Sequence, residues 1–110
     1  MNIDTLTLGE ARQIAEMFPA KPSVAHPYEI GACYLIRTVT MTDTGRVVRV
    51  TEHEIVLTEA AWIADTGRFA DAVRKAEFSE VEPFPDGEVI VGRDAVIDAV
   101  KIAQAPRGQK

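Results

Sequence analysis

The chain has 110 residues, 46% of them apolar and 26% charged, which fits a single domain with its own core and shows no compositional sign of disorder. Twelve Lys+Arg against 17 Asp+Glu give a net charge of −5, which argues against a strongly basic nucleic-acid binder, although a small basic patch fits within that total. The single cysteine, Cys33, excludes an internal disulfide and every zinc site built on paired cysteines. Met1–Thr5 carries no leader pattern, and no apolar run approaches the ~20 residues that span a bilayer. The expectation is a cytoplasmic protein with no membrane partner.

In chain order, the spacing predicts a helix over 7–18. Thr7 and Glu10 fit a capping box, and Leu8, Ala11, Ile14, Ala15 and Phe18 recur at helical spacing before Pro19. Residues 19–32 read as a proline-rich linker. A three-stranded antiparallel meander is expected over 33–64. Its first strand is Cys33–Met41, with Cys33, Leu35, Val39 and Met41 on one face and Arg37 as the exception. Thr42-Asp43-Thr44-Gly45 is the turn signal, Arg46–Thr51 the second strand, and Ile55–Ile63 the third. Residues 65–86 read as an insertion. Asp65 or Thr66 would cap a short helix carrying Phe69, Ala72, Val73 and Ala76 on one stripe, followed by an extended edge segment, Ser79–Phe84, limited by Pro83 and Pro85. A final pair over 87–103 comprises Val89–Val91, a tight turn at Gly92-Arg93-Asp94, and Ala95–Ile102, which is strand-like but alanine-rich enough for a short helix. Residues 104–110 form a polar, cationic tail. The pattern is mainly β with α: a small, strongly bent five-stranded antiparallel sheet, most simply closed as a partly open barrel.

Two resemblances arise from these residues. Tyr34–Thr40, Thr44–Val48 and Ala60–Phe69, with Glu80–Gly87 and the Pro106–Lys110 ending, resemble a family of small phage and prophage proteins, the DUF6948 type. That resemblance implies a viral or prophage origin in a bacterial host cell, and no activity. The layout of an N-terminal helix followed by five bent strands also resembles Sm-like proteins. Gly45-Arg46-Val47 through Val56–Ala60 is similar to the first Sm motif, where a glycine lets the second strand bend. Val91–Val96 is similar to the second, with glycine and arginine interchanged. The Sm resemblance implies rings, in which strand four of one subunit pairs with strand five of the next. The asparagine that reads uridine in Sm rings has no counterpart, since Asn2 is the only asparagine. An SH3-like barrel fits the same strand pattern.

The most suggestive side chains are Trp62, Asp65, Thr66 and Arg68, which together suit stacking and pairing with a flat anionic ligand such as a nucleotide. The same residues also read as a strand end, a helix cap and a local ion pair. Arg37 interrupts an apolar face and would point into a ring pore or meet a carboxylate, and Arg93 sits in the turn that would face the pore. Arg46 and Arg49 read as solvated surface. His26 and His53 form no spaced ligand set with each other or with Cys33, which reads as a small core residue, so neither metal nor cofactor is expected. The scattered carboxylates read as a solvated acidic face, and no P-loop, dinucleotide fingerprint or nucleophile elbow occurs.

The expected function is a non-enzymatic, ring-forming homo-oligomer that binds a small anionic or nucleotide-like ligand and so sequesters a host defence signal. The alternatives are a phage structural, assembly or host-takeover factor acting through protein contacts, and an RNA-binding Sm-like ring, which the charge and the missing asparagine disfavour. An enzyme, such as a nucleotide phosphoesterase, finds no convincing nucleophile, base or metal set.

Overall fold

The computed structural model describes residues 24–110. The helix expected over 7–18 and the first part of the linker lie outside the described residues. The described elements are β1 (Cys33–Thr38), β2 (Thr42–Val50), β3 (Glu54–Asp65), α1 (Phe69–Lys75), β4 (Glu80–Pro83), β5 (Val89–Gly92), a 3-10 turn (Arg93–Ala95) and β6 (Val96–Ile102). All strand pairs are antiparallel, in the order β4-β3-β2-β1-β6, with β5 also on β3. The domain is therefore mainly β with one helix, and its six-stranded sheet does not close. No described helix is long and apolar enough to cross a membrane.

β1 is paired on both edges, by β2 and β6, and packed on both faces, so Cys33 through Ile36 are nearly inaccessible. Cys33 and Leu35 join Ala61, Ile63, Val81 and Ile102 under Ala72 of α1 and Phe78. Tyr34 and Ile36 join Val47, Ile55, Leu57 and Val91 on the opposite face. Each large aliphatic so enclosed contributes about 1.5–3 kcal/mol of burial.

The bend of β3 organises the rest. Its first half, from Glu54 to Leu57, pairs with β5, and its second half, from Ala61 to Asp65, pairs with β4. Between them Glu59 takes the left-handed backbone (φ 53°), and Phe84 N–H bonds Ala60 O at 2.9 Å. β2 shifts register across Gly45, where an added Cβ would lie 3.0 Å from Leu57 Cβ. This close crossing is what glycine permits at that point. β5 and β6, joined only by the 3-10 turn, do not pair with each other.

Several expectations need correction. The turn is not at Thr42–Gly45. It lies at 39–41, where Thr38 N–H bonds Met41 O at 2.7 Å and the Thr38 hydroxyl accepts from Met41 N. Asp43, Thr44 and Gly45 are instead buried in β2, because pairing on both sides outweighs local turn preference. β1 accordingly ends at Thr38, and Val39 and Met41 are exposed rather than sharing the face of Cys33. Neither Asp65 nor Thr66 caps α1. Arg68 occupies that position without a side-chain cap, and Asp65 Oδ1 accepts from Gly67 N at 2.8 Å. The alanine-rich final segment is strand, since it pairs along β1 from Cys33↔Ile102 to Thr38↔Val96. The tail is docked: Arg107 donates to Ala60 O and Phe84 O, and Lys110 exchanges backbone bonds with Val81.

Candidate functional site

The β1–β2 turn, the end of β3 and the start of β6 enclose a cleft of about 480 Å³. Arg37 and Trp62 meet there, with Thr38, Thr40, Met41 and Ile97. Trp62 is held between Asp43 on β2 and Glu82 on β4, and the residue is 39% exposed. Arg37 stands opposite Asp98 of β6, and both guanidinium nitrogens that face it, Nε and Nη2, donate to that carboxylate, the Nε–Oδ1 bond measuring 2.8 Å. Arg37 also lies over the Phe69 ring, 4.8 Å from its centroid. The hydrogen bond and charge of Arg37 hold Asp98 below the usual carboxylate range and raise the arginine in return. The cleft floor thus combines an aromatic face with a bidentate donor whose carboxylate partner is half-exposed.

The other expected site residues stand elsewhere. Thr66 and Arg68 line a hollow of about 180 Å³ beside α1, where Asp71, Glu77 and Lys110 mix both signs of charge. Asp65 and Thr66 turn their oxygens to the loop itself, toward Gly67. Arg93 is committed to backbone, donating to Thr51 O at 2.9 Å and Ala25 O at 3.2 Å, so it fastens the incoming chain to the β2–β3 turn. Arg46 and Arg49 are paired with Glu59 (2.6 Å) and Glu88 (2.8 Å).

Turn-like local chemistry at Thr42–Gly45 hides two polar residues that the fold buries. Asp43 Oδ1 and Thr44 Oγ1 are buried without a hydrogen-bond partner among the described residues, and desolvation pushes the Asp43 carboxyl above its ordinary range. Ile36, Asp43 and Trp62 are cross-strand partners in one row over three strands, a register that the local turn chemistry of Thr42–Gly45 hides in the sequence. Cys33 is buried in the helix-side core. Among the described residues no cluster of three or more His, Cys, Asp or Glu stands close enough to hold a metal.

No family model matches the chain, and no curated protein and no solved structure matches it either.

Proposed function

We propose that the chain is a non-enzymatic, ring-forming phage protein of Sm-like fold that binds a small, flat, anionic ligand. A nucleotide acting as a host defence signal fits that description. In this reading β1, β2, β3, β5 and β6 are the five barrel strands, and residues 65–86 are the insertion. The bend at Gly45 and the 3-10 turn between β5 and β6 support it.

The observation that carries the reading is a pair of open strand edges. Among the described residues, β5 pairs only with β3 and β6 only with β1, and each bears an exposed isoleucine, Ile90 (61%) and Ile97 (67%). Exposed apolar edges invite pairing with another chain. β5 of one copy laid along β6 of the next satisfies both edges at once, and such a head-to-tail contact closes into a ring when its rotation allows. The ligand would stack on Trp62 and replace Asp98 on Arg37.

Native mass spectrometry of gently purified protein tests this. A ring of about five to seven subunits carrying extra mass of nucleotide size supports it. A bare monomer at every concentration overturns it. RNA affinity that falls steeply with salt would favour the RNA-binding ring instead.

A second reading, an assembly or host-takeover factor working through protein contacts, is favoured by one observation. Of the seven exposed large hydrophobic residues among the described residues, Val39, Met41, Trp62 and Ile97 line the cleft and Phe69 flanks it through Arg37. Pull-down of a protein that is lost on Met41→Asp would select this reading.

A further inference from the structure

We propose that the outer edge of β4 docks an extended basic segment of a partner protein, and that the chain's own residues 106–110 occupy this edge as a pseudo-ligand. The β5 and β6 edges and the Trp62 cleft play no part in it, so it stands apart from both the ring and the small ligand. β4 pairs with β3 on one side. On its other side, Lys110 N–H donates to Val81 O at 2.9 Å and Val81 N–H donates to Lys110 O at 3.2 Å. Such a mutual exchange is the bond pattern of an antiparallel pair. Gln109 Nε2 stands 3.5 Å from Glu82 Oε1, and Arg107 donates to Phe84 O at 3.2 Å and to Ala60 O at 2.7 Å. The tail therefore runs antiparallel to β4, with Lys110 at Val81, Gln109 at Glu82 and Arg107 at Phe84. Sheet edges take peptides in this way, with main-chain bonds for hold and separate side-chain contacts for choice.

Charge and donor geometry say what this edge accepts. The arginine is read by two backbone carbonyls beside the β3 bend, which any extended segment with arginine at that step would meet. Lys110 donates from Nζ to Phe78 O at 3.0 Å and shares the hollow beside α1 with Asp71 and Glu77. Exposed Glu80 and Glu82 flank Val81 along β4. A second β4 is therefore a poor occupant: pairing Val81 on Val81 would set Glu80 against Glu82 twice, and like charges opposite each other destabilise a strand pair. An extended segment with arginine three residues before lysine matches the edge instead. Residues 107–110 are all exposed, so hydrogen bonds rather than burial hold them. Contacts of that kind open locally at less cost than the core. The tethered tail competes with a partner at an effective concentration on the order of millimolar, which keeps the edge shut to weak mimics.

In the full-length chain, Arg107→Ala combined with Lys110→Pro removes the arginine fork and the N–H that bonds Val81 O. Hydrogen exchange at the Val81 amide should then rise about tenfold or more, with the β1 amides unchanged. The peptide acetyl-Ala-Pro-Arg-Gly-Gln-Lys should restore Val81 protection in this variant, and should bind wild type about tenfold or more weakly because the native tail competes. The same peptide with alanine in place of arginine should restore nothing. Arg107→Ala alone should show the same order of effects, which keeps the test independent of how the proline variant folds. Val81 exchange unchanged in both variants overturns the proposal, and so does a peptide that leaves it fast at millimolar concentration or an alanine peptide that binds equally well. A wild-type dimer that is lost in the double variant also overturns it, because the occupant is then the tail of a second copy. None of these readouts touches the β5 or β6 edge or uses a nucleotide, so failure of the ring or of ligand binding would leave them unchanged.

Discussion

Replacing Thr44 by valine should stabilise the protein. Thr44 is fully buried in β2, between Leu35 of β1 and Ala61 of β3, and its hydroxyl oxygen has no partner among the described residues. A buried, unsatisfied polar group carries a penalty of about 1–3 kcal/mol, which valine removes. The new methyl adds ~0.8 kcal/mol of apolar burial. Repacking against Leu35 and Ala61 takes back part of this, because the interior is close-packed. The expected net gain is about 1–2 kcal/mol. At a urea m-value of ~1–3 kcal/mol/M, that moves the midpoint up by roughly 0.5–1 M. Thr44→Ala should come out below valine, since it removes the hydroxyl but leaves a void, and Thr44→Ser should fall below wild type, since it keeps the hydroxyl and loses the methyl. Equilibrium urea unfolding of the four proteins orders them. A valine variant at or below wild type, with m unchanged, would refute the reasoning, because it would mean that the hydroxyl is satisfied in the folded protein.

Gly45→Ala should destabilise by about 1–3 kcal/mol in the same assay, because its Cβ would press on Leu57 at 3.0 Å in a filled core; an unchanged midpoint would contradict the tight crossing. The Asp43 carboxyl is raised in the folded state, so the native protein holds that proton more tightly than the unfolded chain. Its contribution to stability therefore falls as pH rises from the ordinary carboxylate range toward neutrality. Asp43→Asn should abolish that slope, as read from urea midpoints across the range. Glu59, Glu88 and Asp98 are held low by their arginines, so their contributions have the opposite sign and fade as pH falls below the ordinary carboxylate range. Arg93→Ala should cost about 1–3 kcal/mol by freeing the carbonyls of Thr51 and Ala25, and hydrogen exchange should then accelerate over 24–32 more than in β1; uniform acceleration would contradict its role as a clamp.

The strand pattern was legible wherever apolar residues are repeated without competing turn chemistry, as in Val89–Val91 and the apolar run of β3. The helix Phe69–Lys75 is readable from its stripe in that Ala72 and Val73, with the C-cap Ala76, pack on the core, whereas Phe69 at the head of the stripe is exposed. The β1–β2 turn was not. Asp43, Thr44 and Gly45 have strong local turn preferences, and only neighbours on both sides force them into a strand. The burial of β1 on both faces was hidden for a related reason, since a continuous apolar run does not say how many layers cover it. For the candidate site, the sequence marks Trp62 and Arg37 separately, and the fold brings them together through the β1–β2–β3 register. The carbonyls of Thr51 and Ala25 that accept from Arg93 are marked by no sequence pattern.

The position of β1 bears on how the chain is made. Its two neighbours differ in timing: β2 follows at once, while the β6 partner of Cys33 is Ile102. During synthesis this buried strand therefore keeps one bare backbone edge until Val96–Ile102 has emerged. Over that interval Cys33–Ile36 is an apolar template that any other extended segment can pair with. Yield in a host cell then depends on how quickly β6 arrives, and slowing translation between α1 and β6 should send more of the product to aggregates.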